Sequence, residues 1–309
     1  MSYIIGRLFQ AILSILGIST IVFFILQLSG DPVLLMVPQN ASAEAIELMR
    51  HQLGLDRPVF VQYLDFMKNL LLFDLGQSFV QNQPVIDILI QRLPHTLKLA
   101  AAALFLAIIV GIPIGMLTAY YRGKWVEKLL MPIILVGQSS PAFWTGILLI
   151  MFVSVKLRLL PSSGSEGLQS LILPAITLAS LTIATFARMT RSSIIDHLDQ
   201  EYVKTGKSKG ASSFRLLSRH IFRNASIPII TMIGLETANL LGGAVITETI
   251  FAWPGLGQLT IQAIDARDFP LVQGIVLFGS AAYIFINLLT DLVYAWVDPR
   301  VKLGKDVAS

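Results

Sequence analysis

The sequence predicts an all-α, polytopic membrane protein with six transmembrane helices and both termini in the cytoplasm. Three observations predict it. Of 309 residues, 54% are apolar and 14% are charged, against about 25% charged in a soluble domain. The mean hydropathy is +0.71. The apolar residues gather in long uncharged runs, and the basic residues fall unevenly between those runs. A soluble globular enzyme and a disordered chain are excluded on these grounds. With no cysteine, so is a disulfide scaffold.

Lipid offers the backbone no hydrogen-bond partners, so a span of about 30 Å needs roughly 20 mostly apolar residues in a helix. Six stretches meet that length. They run from Leu8 to Leu28, Leu99 to Tyr120, Leu129 to Val155, about Gly167 to Ala187, Ile227 to Thr247, and Phe269 to Val297. The fifth contains Glu236, and the sixth carries Asp291 near its end, read as an interfacial anchor or helix-pairing residue. The first has a basic Arg7 before it, as a signal peptide would. Its 21 uncharged residues exceed the 7–15 of a signal core, so a retained helix is expected.

Lysine and arginine set the orientation. The N-terminus, residues 121–128, residues 188–226 and the tail hold 15 of them, whereas the opposite loops hold 7, with Lys98 at a boundary. Both termini are therefore expected inside. The net charge of +4 is a topology signal and calls for no nucleic-acid partner. The organisation expected is a first transmembrane helix over 1–28, an external loop over 29–96, a five-helix core over 97–298 that includes a cytoplasmic loop at 188–226, and a tail over 299–309.

Two loops are too long to be connectors. In the external one, Ile46, Met49 and Leu53 mark a short helix with Ser42 as N-cap and Gly54 as stop. Pro58 opens a second, with Phe60, Leu64, Met67 and Leu71 on one face. An amphipathic cap on the membrane face is expected, and it is compatible with docking of an external partner. The cytoplasmic loop from Glu201 to Asn224 reads as two short helices meeting at Gly210-Ala211-Ser212-Ser213. Val203, Gly206 and Gly210 mark one side of the first; Phe214, Leu217 and Ile221 mark one side of the second. A basic loop that only obeys the positive-inside rule needs no such periodicity, so an apolar ridge offered to a cytoplasmic protein is expected.

Catalytic chemistry is missing. The four histidines lie in loops, no zinc-binding His-Glu-x-x-His occurs, and cysteine is absent. Gly206-Lys207-Ser208 ends like a phosphate-binding loop, but Glu201 stands where the leading glycine belongs. No ATP hydrolysis, metal site or cofactor is expected of this chain.

Glu236, near mid-depth and flanked by Thr237 and Asn239, is a candidate pathway residue, because intramembrane charge is costly. The alternative is a buried, protonated or hydrogen-bonded structural glutamate. Gly137-Gln138-Ser139-Ser140-Pro141 would break the third span's hydrogen-bond ladder. Broken backbone at that depth lines a cavity or is buried in protein, so Gln138, Ser139 and Ser140 join the candidate pathway. Gly111-Ile112-Pro113-Ile114-Gly115 and Leu241-Gly242-Gly243-Ala244 read as close helix packing.

The cytoplasmic helix pair resembles the coupling segment, or EAA loop, of ABC-importer permeases. Gly210 stands at that motif's glycine, with Lys204-Thr205-Gly206 in place of Glu-Ala-Ala, and His220, Arg223-Asn224-Ala225 and Ile227-Pro228 fit the variant found in peptide and nickel importers. Gly30-Asp31-Pro32, Gly54-Leu55-Asp56-Arg57-Pro58, Asp74-Leu75-Gly76-Gln77-Ser78, Glu248–Gly257, Arg267-Asp268-Phe269-Pro270 and Asp298-Pro299-Arg300 agree. The chain resembles the first permease subunit of a dipeptide/oligopeptide/nickel ABC importer, of type I permease fold.

The resemblance implies a homologous second permease subunit, two ATP-binding subunits that use ATP and Mg, an external substrate-binding protein, and the prokaryotic inner membrane. It implies short peptides as cargo, with nickel, a metal chelate or a glutathione-like peptide as alternatives. It places ATPase coupling on Glu201, Tyr202, Lys204, Gly206, Lys209, Gly210, Phe214, Arg215 and Arg219. Trp253, Pro254 and Gly255 are a candidate external gate or docking element; the alternative is an interfacial aromatic anchor. The competing classes are a self-sufficient secondary carrier or channel, for which only Glu236 offers a coupling site, and an intramembrane enzyme, which lacks a catalytic pair.

Overall fold

In the computed structural model the described residues are 2–28, 30–37 and 41–297. Residues 298–309 lie outside them, and with them the tail and the Asp298-Pro299-Arg300 motif, as does the side chain of Asp291. Among the described residues there is no strand, only an isolated bridge between Gln77 and Pro84.

The helices are, in chain order, α1 (Ser2–Leu28), α2 (Val33–Met36), α3 (Ala43–Gln52), α4 (Val59–Leu71), α5 (Val85–Tyr120), α6 (Trp125–Ser139) and α7 (Ala142–Leu149), the last extended by a π-helical segment, Ile150–Lys156. Then come α8 (Gln169–Leu198), α9 (Glu201–Ser208) and α10 (Ser213–Arg215). A π-helical segment, Leu216–Ile221, joins α10 to α11 (Phe222–Ile250), and α12 (Leu256–Asp265) and α13 (Phe269–Val297) follow. Among the described residues, four helices are long and apolar enough to cross a membrane: α5, α8, the continuous rod Ser213–Ile250, and α13 over Phe269–Thr290. The bent pair α6–α7 makes a fifth if it is one span, and α1 contains a shorter apolar stretch, Ile12–Leu28.

Helix ends depart from the apolar runs for identifiable reasons. α5 begins at Val85 rather than Leu99, and α8 ends at Leu198 rather than Ala187. Both overhangs are amphipathic turns that pack on protein, so they carry charges a lipid-facing turn would not. The third span breaks where Pro141 removes an N–H. Ser140, the residue before it, is extended at φ −80°, ψ 128°, and α6 and α7 meet at 105°. The Ser140 hydroxyl donates back to the Val136 carbonyl at 2.9 Å.

The chain divides into two compact units. The first comprises Met1–His95 with Gly255–Ile284. In it α3 starts at Ser42, whose side chain accepts from Ala45 N–H, and the chain turns after it at Gly54, φ +68°. α4 packs on α1 through Tyr63 and Phe66, whose rings lie 5.4 and 5.6 Å from that of Phe23. The Thr20 and Tyr63 hydroxyls share a 2.9 Å hydrogen bond, and Gln27 donates to Gln62 at 2.9 Å. Of the face marked by the sequence, Phe60, Leu64 and Leu71 stay exposed and Met67 is half-buried, which is what a cap resting on lipid would present. Val85, Ile88 and Leu89 of α5 bury with Leu259 and Ala263 of α12 and Leu271, Val272 and Ile275 of α13.

The second unit comprises Thr96–Pro254 with Phe285–Ser309. Its centre is α8, which buries 61% of its apolar window. α5 approaches it closely. A Cβ on Gly111 would lie 2.8 Å from the Ile183 carbonyl oxygen, and one on Gly115 would lie 2.5 Å from that of Ala187. Close packing thus accounts for the glycines of α5. Gly242 and Gly243 of α11 are different: the first meets nothing within 4 Å and the second only Leu178, at 3.9 Å. α11 instead approaches α13 at Gly234, where a Cβ would collide with the Thr290 methyl.

Because the obstacle at Gly115 is backbone, Gly115→Val should destabilise the detergent-solubilised protein by about 2 kcal/mol or more, the scale of overpacking. Gly242→Ala, in open space within a helix, should be neutral or stabilise by up to about 1 kcal/mol. Thermal denaturation of the two variants measures the contrast.

Candidate coupling surface and translocation site

The corner between α9 and α10 forms for local reasons. α9 ends in a full Schellman motif: Gly210 N–H donates to the Lys207 carbonyl at 2.9 Å, and Ala211 N–H to that of Gly206 at 3.2 Å. This requires a left-handed residue, and Gly210 supplies it at φ +77°. The next helix starts at once, because Ser212 accepts the Arg215 N–H at 3.4 Å as its N-cap. Gly206 lets α9 lie against the rod, since a Cβ there would come within 2.5 Å of Leu216 Cδ2.

The expected second short helix does not end at Asn224. It continues through the π-helical segment into α11, so the corner is rigidly attached to a spanning rod. The expected apolar ridge is also corrected. Val203, Leu217 and Ile221 are at most 3% exposed and pack with Ala119, Ile194 and Ala225. Their periodicity serves the chain's own packing. Of the three residues marking the second helix, only Phe214 faces outward, at 66% exposure. The surface left to a partner is polar and basic: Glu201, Tyr202, Lys204, Lys209, Gly210, Arg215 and Arg219 are exposed, and Gly206 is half-buried. Lys204 pairs with Glu201 at 2.8 Å. Beside them Tyr202, Arg219, His220, Arg223 and Asn224 line a hollow of about 420 Å³.

The pathway candidates are not drawn into one cluster. Glu236 is half-buried and accepts a 3.3 Å hydrogen bond from the Thr182 hydroxyl of α8. Asn239 is exposed, Gln138 and Ser140 are half-buried, and Ser139 is exposed at the end of α6. Among the described residues, no hydrogen bond joins Gln138, Ser139 or Ser140 to Glu236 or Asn239.

Trp253 does not sit as an interfacial anchor. Its ring is fully buried with Leu99, Ala103, Leu240 and Ala244, and the Lys98 ammonium lies 5.9 Å from the ring centroid. The Trp253 backbone N–H donates to the Glu248 carbonyl at 2.8 Å, after Ala252 in the left-handed region at φ +48°. Pro254 is half-buried, and Gly255 is buried as the residue that opens α12.

Sequence reasoning missed two buried carboxylates. Glu248 is fully buried and accepts from the Thr96 hydroxyl at 2.7 Å. Asp268, 1% exposed, accepts from the Ser78 hydroxyl and from the N–H groups of Phe79 (3.1 Å), Val80 (3.2 Å) and Leu271 (3.3 Å). Around it the motifs of the first unit meet. Gly30 faces the Arg267 guanidinium, where a Cβ would lie 2.7 Å from a nitrogen, and Gly76 faces Pro270 at 3.8 Å. Asp31 accepts from Val33 N–H and from Arg50, whose pKa the carboxylate raises. The available signal was that each residue belongs to one of the quoted motifs.

Residues 111–303 match the family model for the inner membrane component of binding-protein-dependent transport systems, and residues 1–100 match the model for its N-terminal part. The chain belongs to this family. It is a permease component of the inner membrane, all-helical as expected. It is 43% identical over 308 residues to a Brucella abortus (strain 2308) protein provisionally named a peptide transport system permease, covering 97% of this chain and 98% of that one. It is 39% identical over 303 residues to the glutathione transport system permease protein GsiC of Escherichia coli (strain K12), covering 98% and 99%. Two inward-facing structures of the MetNI methionine ABC transporter share the fold. One matches at TM-score 0.59 and 17% identity, over 69% of this chain and 97% of that one; the other at 0.60 and 16%, over 68% and 96%.

The permease's corner should tolerate Asn but not Val at position 210, because an L-residue in the left-handed region costs about 1–2 kcal/mol and Asn alleviates it. Amide exchange at Gly210 and Ala211 should quicken markedly in Gly210→Val and stay near wild type in Gly210→Asn.

Proposed function

We propose that this permease forms half of the translocation pathway of an ATP-driven importer of short peptides. It would cross the membrane six times with both termini inside and dock an ATP-binding subunit on the corner from Glu201 to Arg219. One observation carries the reading: the corner exposes basic groups around a fixed left-handed glycine, while its apolar side is locked into the spanning helices. Force applied there by a partner has no slack to take up before it reaches α8 and α11. Closure of two ATP-binding subunits would thus tilt this chain against a homologous second permease as a rigid body. An external binding protein would deliver cargo. ATP and Mg would be used by the ATP-binding subunits.

Four long spans, one bent pair, the apolar stretch of α1 and the 15 to 7 division of basic residues support the topology. The names of the relatives favour peptides, down to a tripeptide such as glutathione, over nickel or a chelate. Pathway contacts fall on Gln138, Ser139, Ser140, Glu236 and Asn239, and Trp253 to Gly255 are a rigid external abutment to the gate.

Affinity purification from native membranes should recover a P-loop ATPase and a second permease. In liposomes the complex should take up di- or tripeptide only with ATP and the binding protein. Uptake by the purified chain alone, driven by an ion gradient, would instead establish a secondary carrier.

A further inference from the structure

Outside the corner, the described residues of the second unit include a well-formed charged node on the side of the corner. Glu127 stands in the first turn of α6. One of its oxygens accepts the N–H of Gly123 at 2.6 Å, in the turn between α5 and α6. The other accepts from Arg191 of α8 through Nε at 2.8 Å and also through Nη2. The side chains are 15% and 28% exposed, so water and salt screen this pair less than an ordinary surface ion pair. A helix-capping carboxylate needs only the first contact. The second reaches 64 residues along the chain and uses a guanidinium edge, the arrangement that fixes direction as well as distance.

The position of the node gives it a use. Arg191 lies on the last turns of α8, which ends at Leu198, three residues before α9 begins. On the same stretch the buried Ser193 hydroxyl donates to the Ala225 carbonyl of α11 at 2.9 Å. The end of α8 is thus held to the docking rod by Ser193 and to α6 by Arg191. Farther along, Ile134 of α6 packs with Ala184 and Ala187 of α8. α6 then runs, without another charged residue after Lys128, to Gln138, Ser139 and the break.

We propose that Glu127 and Arg191 are positioning residues for coupling: their ion pair makes α6 move with the docking corner, so displacement there is delivered to the break at Ser139-Ser140. This rests on the coupling reading above. Without the pair, α6 is held by apolar contacts that permit sliding, and the corner can be driven while the break lags.

The test uses the assembled transporter in liposomes, with binding protein and dipeptide outside and ATP on the cytoplasmic side. The readout is peptide imported per ATP hydrolysed, a ratio that loss of folded protein does not change. Glu127→Gln keeps an acceptor for Gly123 and should lower the ratio about tenfold, as should Arg191→Gln. The double variant should be no worse than either, because the two act as one link. Charge exchange, Glu127→Arg with Arg191→Glu, should recover most of the loss. Ratios unchanged in the single variants, or losses that multiply in the double, would overturn the proposal. If the Gln variants do not assemble, Arg191→Lys, which keeps the charge but loses the two-nitrogen contact, should give an intermediate ratio; a wild-type ratio there would count equally against it. Failure of the coupling reading would look different: wild-type protein itself would show no ATP-linked uptake.

Discussion

Two missing side chains set the geometry of the second unit. Gly111 and Gly115 let the backbone of α5 rest against the carbonyls of Ile183 and Ala187. In lipid there is no hydrophobic force between helices, and close packing has to supply the attraction. α8 therefore becomes the axis of the unit, gripped by α5 on this face and by α6, α7 and α11 on others. Its C-terminal end then has a fixed place, and the corner from Glu201 to Arg219 inherits that place from it.

The same economy runs through the corner. Val203, Leu217 and Ile221 are spent on joining α9 to the rod and to α5 and α8, which leaves a polar outer surface and a stiff attachment. A loop that kept its apolar residues for a partner would fold only on docking and would absorb part of the stroke. Here the charge network and the apolar packing agree: the corner, the end of α8 and the start of α6 are one mechanical piece. The break at Ser140-Pro141 is the place where that piece changes direction, at 105°.

The fold class was legible because hydrocarbon solvation leaves so few options, and the family motifs were legible as residues in order. Helix ends were not. The overhangs of α5 and α8 are amphipathic and escape a search for uncharged runs. Helical periodicity located the apolar faces of the corner but could not say what covers them, and the protein's own α5 and α8 do so. α4 shows the same gap in reverse: Tyr63 and Phe66 take the packing face, and the stripe Phe60-Leu64-Leu71 stays outside. Glu248 and Asp268 stood in the quoted motifs, but their burial was not legible, since their partners Thr96 and Ser78 lie 152 and 190 residues away. The Glu127–Arg191 pair was hidden for the same reason.

If the proposed coupling holds, ATP bound by subunits docked at the corner changes access at the break in the third span. The chain contains no cysteine, so Ser139→Cys gives this subunit a single reporter at an exposed position of α6, read as labelling of this subunit's own band. Its rate of reaction with a membrane-impermeant maleimide, added from the cytoplasmic side of the assembled transporter, measures that access. Labelling should be rapid without nucleotide and strongly suppressed when ATP is trapped by a hydrolysis-deficient partner. A rate indifferent to nucleotide would contradict it.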